Sequence, residues 1–125
     1  MEVHLIGIGV DLVEVDRMRR TLARTPSLVE RLFTDAERAY CERRRDPTER
    51  FAARFAAKEA VMKALGVGLG AVGWHDIEVA RAESGRPSVV LTGRAAALAA
   101  ERGVSGWHLT LSHTSRVAEA SAVAE

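Results

Sequence analysis

The sequence has little cysteine, no long apolar run and no large excess of charge of either sign. A single cysteine, Cys41, among 125 residues excludes an intramolecular disulfide framework, and no spacing of cysteine and histidine indicates a zinc site. No apolar run reaches the ~20 residues of a membrane-spanning helix. Eighteen basic and 17 acidic residues leave a net charge of +1, which argues against a strongly cationic polyanion-binding protein.

The composition that remains is ordinary for a folded protein. Apolar residues make up 47% and charged residues 28% of the chain, which argues against disorder. The length is typical of one domain, and we expect residues 1–125 to form it. The apolar stretch near the N-terminus has neither a basic segment before it nor a small-residue cleavage site. We therefore expect no signal peptide, no membrane association and a cytoplasmic location.

The order of predicted elements favours an α+β fold with a mainly antiparallel sheet. Strands are predicted at 3–10, 77–81, 88–91, 107–113 and 116–123, the first of them buried. Helices are predicted at about 12–23, 34–44, 48–65 and 92–103, with a short helical turn at 28–33. Thr34 and Glu37 form a capping-box pattern, and Gly66 is expected to end the long helix. The alanines of 116–123 would also suit a helix.

The predicted long helix carries charge beside its apolar face. Its apolar stripe consists of residues at helical spacing: Phe51, Phe55, Met62 and Leu65. Lys58 falls inside that stripe, Glu59 lies at its edge, and Lys63 lies one turn beyond Glu59. Either Glu59 pairs with Lys63 while the Lys58 stem extends to water, or Glu59 holds a metal and a lysine faces a substrate anion. Spacing alone favours the first interpretation.

A second carboxylate, Asp11, follows the first predicted strand, where ligand sites often lie. Mg²⁺ is bound by oxygen atoms and typically uses one or two carboxylates together with substrate phosphates and water. Asp11 and Glu59 are candidates for that pair. Asp11 as the N-cap of the following helix is the alternative, and Glu14 and Asp16 are nearby carboxylates.

The arginines form two groups. Arg17, Arg20 and Arg24 share one face of the first predicted helix, which is typical of a solvated surface or of a docking surface for an acidic partner. The second group, residues 43–45 with Arg50 and Arg54, is suited to bidentate phosphate binding. Few aromatic residues lie among them, so single-stranded nucleic acid is a poor fit.

Two further features are weaker signals. The loop that contains Gly66 and Gly68 follows a helix, so it matches neither the dinucleotide fingerprint nor the phosphate loop. It either turns the chain or lets the backbone approach a ligand. His113 ends a strand, where a packing role is the common one, and its neighbour Ser112 points to the opposite side, which excludes a catalytic triad from this pair.

Three blocks of sequence carry a resemblance. They are Gly-Ile-Gly-Val-Asp-Leu at 7–12, the stretch 33–41 leading into Arg-Phe-Ala-Ala-Lys-Glu-Ala at 54–60 and Lys63, and Leu-Ser-His-Thr at 111–114. In order and separation they resemble the holo-acyl-carrier-protein synthase family, the small phosphopantetheinyl transferases. The Gly-Arg-Pro at 85–87 also fits, and the resemblance covers essentially the whole chain.

The resemblance implies an activity and an assembly. The activity is Mg²⁺-dependent transfer of 4′-phosphopantetheine from coenzyme A to a serine of an apo acyl carrier protein, with release of adenosine 3′,5′-bisphosphate (3′,5′-ADP). The subunit would have the phosphopantetheinyl transferase fold, with the sheet packed against the long helix. Three such subunits would form a homotrimer with sites at the subunit interfaces.

The resemblance also implies roles for individual residues. Asp11 and Glu59 would bind Mg²⁺, Glu59 would deprotonate the carrier serine, and Lys63 would stabilise or protonate the leaving oxygen. The expected coenzyme A contacts are Arg54, Lys58, Gly66, Gly68 and His113. The expected contacts to the carrier protein are Arg17, Arg20 and Arg24. The arginine that holds the 3′-phosphate of coenzyme A is not identified.

Two other classes of function compete with the transferase. A non-catalytic module that binds a carrier protein or a nucleotide on the same scaffold would not need Asp11, Glu59 and Lys63 together, and all three are present. A small nucleic-acid-binding domain that uses the arginine runs is disfavoured by the balanced net charge.

Overall fold

The computed structural model describes residues 4–125, in which helices are packed against antiparallel strands. The strands are β1 (Gly7–Glu14), β2 (Ile77–Arg81), β3 (Pro87–Leu91), β4 (Trp107–His113) and β5 (Val117–Ala124). The helices are α1 (Val15–Arg24), α2 (Leu28–Leu32), α3 (Asp35–Cys41), α4 (Thr48–Leu65) and α5 (Gly93–Glu101), and a 3₁₀ turn at Trp74–Asp76 precedes β2. Val3, predicted to begin the first strand, lies outside the described residues.

The strands form two separate sheets. One has the order β1-β5-β4 and the other is the β2-β3 hairpin, and all of their pairings are antiparallel. The predicted α+β class with an antiparallel sheet is confirmed. The last segment is a strand because β5 pairs with β1 on one side and with β4 on the other, so its alternate alanines pack into the core.

Helix α4 is the centre of the core. Most of its residues are buried, and its closest neighbours are β1 and β5. Alanine dominates the buried face, with Ala56, Ala57, Ala60 and Ala64 in one cluster with three alanines of β5, residues 120, 122 and 124. Small side chains on both surfaces allow the helix to lie close to the sheet. The helix ends as predicted at Gly66, which adopts φ 75° in the left-handed region.

Strand β1 touches α4 with its backbone. A methyl group placed on Gly9 would lie 1.8 Å from the carbonyl oxygen of Ala60, and one placed on Gly7 would lie 1.8 Å from the carbonyl oxygen of Ala64. No side chain can occupy that space without moving the strand or the helix. The two glycines are therefore required by this close approach.

The first strand lies later in the chain than predicted, at Gly7–Glu14 and not at 3–10, and it is less buried. It continues through Leu12 to Glu14, because each residue from Gly7 to Glu14 has a pairing partner on β5, and α1 begins only at Val15. Helical spacing predicted that α1 begins at about Leu12. Pairing with β5 overrides that spacing and keeps residues 12–14 in the strand. One face of β1 packs on α4, and the opposite face is open on this chain, where Ile8, Val10 and Leu12 are 60%, 48% and 67% exposed.

Other local signals are as predicted. Thr34 and Glu37 form the reciprocal capping box at the start of α3. Within residues 4–125 no helix combines the length and the apolar character that crossing a bilayer requires.

The glycine contact generates a prediction about stability. Gly9→Ala should lower the free energy of unfolding by about 1–3 kcal/mol, because the added methyl group meets backbone and the close packing must open. Gly68→Ala is the matched control, since a methyl group there meets no atom within 4 Å. Urea unfolding of both variants measures the difference, and equal midpoints for Gly9→Ala and the unaltered protein would contradict the close contact.

Candidate active site

The structure brings Asp11 and Glu59 together from distant parts of the chain. In a strand, residues two apart face the same side, so Asp11 continues the face of Gly7 and Gly9 that meets α4. Glu59 is partly exposed on that helix. Its pKa is raised, first by burial, then by the nearby charge of Asp11 and by a hydrogen bond with that side chain, while Lys63 acts in the opposite direction.

Lys63 is the third charged group of this cluster. Its Nζ donates to Asp11 Oδ1 at 3.1 Å and to the backbone carbonyl of Val10 at 2.9 Å. The lysine thus makes its ion pair with Asp11, where the sequence favoured a pair with Glu59. The N-cap alternative for Asp11 is wrong, because Glu14 occupies the N-cap position of α1 and Asp11 lies within β1.

A groove of about 450 Å³ opens beside the carboxylates. Its lining includes Asp11, Glu59 and Arg17. One wall is aromatic, since the rings of Phe55 and Trp74 are stacked with their centroids 5.1 Å apart. Two carboxylates at the edge of a partly apolar groove provide oxygen ligands for a hard cation and room for an elongated organic group beside it.

The three predicted docking arginines lie along the exposed side of α1. Arg17, Arg20 and Arg24 are all exposed, and Val15 and Met18 bury the opposite face of α1. Arg17 lines the groove, whereas Arg20 and Arg24 are not among its lining residues. The three guanidinium groups therefore extend from the groove along the outer surface of α1.

Lys58 lies elsewhere than expected. Its side chain is fully buried, and its Nζ lies 2.8 Å from the Glu37 carboxylate and donates to the backbone carbonyls of Trp74 and Ile77. Burial lowers the pKa of Lys58, and the Glu37 charge raises it. The predicted extension to water and the predicted contact with coenzyme A are both corrected: the side chain is fully buried, and its donors join α4 to Trp74 and to the start of β2.

Glu37 completes this internal network. One of its carboxylate oxygens accepts from the Thr34 backbone N–H at 2.9 Å and the other from the Val79 backbone N–H at 2.8 Å. The single carboxylate thus connects α3, α4 and β2. The sequence does not predict that Glu37 is buried. Its apolar periodicity gives no such signal, and the capping-box pattern accounts for a glutamate at this position whether or not it is buried.

A second pocket, the basic pocket, has a volume of about 460 Å³ and no lining residue in common with the groove. Five arginines line it: Arg44, Arg50, Arg54, Arg81 and Arg86. Among its described lining residues none is acidic, although Glu49 approaches His113 Nδ1 at 3.8 Å and Arg44 at 4.0 Å. Arg54 and His113 both lie here, as a phosphate-binding role would require.

The remaining predicted coenzyme A contacts, Gly66 and Gly68, lie outside the described lining of both pockets. Gly66 ends α4, and Gly68 follows in an exposed loop; neither is among the described residues that line the groove or the basic pocket. Of the arginine run at 43–45, only Arg44 lines the basic pocket. Sequence reasoning missed Tyr40 and Arg81, which stand in a helix and at a strand end with no motif to mark them as binding residues.

Comparison with known proteins identifies the class to which this fold and site belong. The family model of the 4′-phosphopantetheinyl transferase superfamily matches residues 7–118. A holo-[acyl-carrier-protein] synthase of Moorella thermoacetica is 50% identical over 121 residues, which are 97% of this chain and 94% of that protein.

Solved structures agree in fold. A holo-[acyl-carrier-protein] synthase of Neisseria meningitidis is similar with a TM-score of 0.89 and 31% identity, over 98% of this chain and 99% of that one. A synthase of Bacillus anthracis, solved in complex with CoA (3′,5′-ADP), gives a TM-score of 0.81 and 33% identity over 98% and 97%. The chain belongs to the holo-[acyl-carrier-protein] synthase family of phosphopantetheinyl transferases, which confirms the resemblance found in the sequence.

The buried Lys58–Glu37 pair generates a prediction. Lys58→Met should lower the free energy of unfolding by about 3–5 kcal/mol, because it leaves the Glu37 carboxylate buried without its counter-charge. The double variant Lys58→Met with Glu37→Gln removes both charges and should recover part of that loss. Urea unfolding measures both values.

Arg45→Met is the control for this test, because Arg45 is an exposed cation on the surface. Its effect should stay within about 0.5 kcal/mol. A double variant no more stable than Lys58→Met alone would argue against the pair as the cause.

Proposed function

We propose that the chain transfers the 4′-phosphopantetheine group of coenzyme A to a serine of an apo acyl carrier protein and releases 3′,5′-ADP. The observation that carries the proposal is the meeting of Asp11, Glu59 and Lys63 at the edge of one groove. Family membership supports the reaction class, and synthases of the same fold have been solved with coenzyme A.

Asp11 and Glu59 suit Mg²⁺. Mg²⁺ typically takes one or two carboxylates and completes its shell with substrate phosphate and water, and these two side chains supply the carboxylates. Burial and then repulsion by Asp11 raise the pKa of Glu59, and a cation between the two carboxylates would relieve that repulsion. When bound, Mg²⁺ neutralises charge on the diphosphate of coenzyme A.

The protein's own groups move the protons. Glu59, directly or through a water, takes the proton of the carrier serine. The serine oxygen then forms a bond to the phosphorus that bears the pantetheine arm, and the bond from that phosphorus to the bridging oxygen breaks. That oxygen leaves on 3′,5′-ADP, and Lys63 stabilises or protonates it.

The basic pocket is proposed to hold the 3′-phosphate of the donor. Arg54 and His113 were expected from the sequence to contact coenzyme A, without assignment to its 3′-phosphate, and Arg44, Arg50, Arg81 and Arg86 lie with them. The backbone of Gly66 and Gly68 keeps its proposed contact to coenzyme A, with Lys58 confined to support of the fold.

A homotrimer is proposed for the assembly. The exposed apolar row Ile8, Val10 and Leu12 on β1 supports burial against another subunit. Placing the sites at subunit interfaces would let the basic pocket of one subunit serve the groove of its neighbour, since the two pockets of a single chain are separate. The cytoplasmic location remains a prediction of the sequence.

The first test of the function is an intact-mass assay. An apo carrier protein, coenzyme A and Mg²⁺ are incubated with the enzyme, and the carrier should gain one phosphopantetheine. Glu59→Gln should slow the transfer roughly 10²–10⁴-fold, since it removes a proton acceptor. Asp11→Ala should be similarly slow, and excess EDTA should stop the reaction until Mg²⁺ is restored.

Circular dichroism and thermal unfolding serve as the controls for folding of these variants. Failure of the unaltered enzyme to modify any of several carriers would reject the transferase and leave the non-catalytic binding module. Full activity in excess EDTA would reject the metal role of the two carboxylates.

The second test concerns the carrier-protein surface. Arg17→Glu should raise the KM for the carrier roughly tenfold and leave the KM for coenzyme A within about twofold, because it places a like charge opposite an acidic partner. Arg94→Glu, an exposed cation on α5 that does not line the groove, is the matched control. Equal increases for both substrates would reject the docking surface.

A further inference from the structure

Three arginines converge on the ring of one tyrosine at the end of α3. The guanidinium carbons of Arg50, Arg54 and Arg81 lie 4.1, 4.2 and 4.6 Å from the centroid of the Tyr40 ring. All four residues line the basic pocket. Three separate elements, α3, α4 and β2, thus deliver their side chains to one point.

The same tyrosine also binds two of these arginines through its polar atoms. Arg50 Nη1 donates to the Tyr40 backbone carbonyl at 2.8 Å, and Arg81 Nη1 donates to the Tyr40 hydroxyl. Arg81 is further held by the Gly85 carbonyl, to which its Nε donates at 3.3 Å. The tyrosine therefore fixes both the distance and the orientation of the guanidinium groups around it.

Holding these positive charges together costs free energy when no anion is bound. Arg54 is only 5% exposed, and among the described residues its Nε has no hydrogen-bond partner. Burial lowers the pKa of Arg54. A cation over an aromatic ring gains about 0.5–2 kcal/mol, which offsets only part of the cost of bringing three like charges together and burying one of them. Glu37 compensates part of the Arg54 charge, and the unused Nε–H donor together with the remaining positive charge of the three arginines indicates a phosphate-sized anion as the missing partner.

We propose that Tyr40 is a positioning residue that holds Arg50, Arg54 and Arg81 as one preformed anion-binding surface, and that this surface makes the enzyme select donors with a 3′-phosphate. The proposal rests on the proposed function for the identity of the donor. The diphosphate is assigned to the carboxylate groove, so the 3′-phosphate is the anion that remains for the arginines. Tyr40 itself acts through them and makes no contact to the reacting atoms.

Equilibrium binding of nucleotide fragments tests the proposal without requiring transfer. The unaltered enzyme is titrated calorimetrically with 3′,5′-ADP and with adenosine 5′-monophosphate, which lacks the 3′-phosphate. Tyr40→Leu removes the ring and should weaken 3′,5′-ADP roughly tenfold while adenosine 5′-monophosphate changes less than about twofold. An equal loss for both nucleotides, or no loss for either, would overturn the proposal.

A second pair of variants separates positioning from loss of folding. Tyr40→Phe keeps the ring and removes only the hydroxyl that Arg81 binds, so it should weaken 3′,5′-ADP about threefold. In an Arg81→Met background the same change should have no further effect, because the hydroxyl acts through that arginine. Additive losses in the double variant would show that the hydroxyl does not position Arg81, and they overturn the proposal even if Tyr40→Leu does not fold.

Steady-state kinetics connect the binding result to the reaction. For Tyr40→Phe the KM should rise for coenzyme A and stay unchanged for 3′-dephospho-coenzyme A, with kcat for both donors within about twofold of the unaltered enzyme. A fall in kcat with an unchanged KM would overturn the positioning role. If no transfer occurs with any carrier, the proposed function fails, while the titrations still decide the role of Tyr40.

Discussion

The close approach of strand β1 to helix α4 is the contact on which the site depends. At Gly7 and Gly9 the strand meets the carbonyl oxygens of Ala64 and Ala60 with no side chain between them. Because alternate residues of a strand share one face, the next residue on this face is Asp11, which is delivered to α4 at the same short range. The contact that consolidates the core thus also sets the distance between the Asp11 carboxylate and Glu59. A wider spacing between sheet and helix would still give a fold, but the two carboxylates would no longer lie within reach of one cation.

Two neighbouring residues of α4 have different roles, one in the core and one in the groove. Lys58 and Glu59 are about 100° apart around the helix, so one points inward to Glu37 and the hairpin while the other points to the groove. The inward lysine satisfies the Trp74 carbonyl, and the Trp74 ring stacks on Phe55 in the groove wall. The buried ion pair therefore supports the aromatic wall beside Glu59. In the basic pocket, Tyr40 plays the corresponding part for the arginines, which carry like charges and need a partner that attracts all of them.

The sequence predicted the helices and strands well and the tertiary contacts of individual residues less well. Capping at Thr34 and termination at Gly66 depend on a few adjacent residues, and both are present as predicted. The extent of β1 was wrong, because the pairing of Leu12 and Val13 with β5 involves residues more than 100 positions away. The ion-pair and hydrogen-bond partners of the Lys58 ammonium were not predicted for the same reason, because Glu37, Trp74 and Ile77 come from separate segments of the chain. The convergence of Arg50, Arg54 and Arg81 on Tyr40 likewise has no local signature.

The sequence by itself determined most of the helices and strands, the α+β class and, through the motifs at 7–12, 54–60 and 111–114, the family. Each of these follows from residues that are close together in the chain or from the order of residues along it. Folding changes neither the closeness along the chain nor that order. Only the tertiary structure decided which charges meet: Lys63 with Asp11, Lys58 with Glu37, and three arginines with Tyr40. Coulombic attraction, hydrogen bonding and desolvation act over a few ångströms in space and are independent of separation along the chain, so they exist only once packing has fixed those distances.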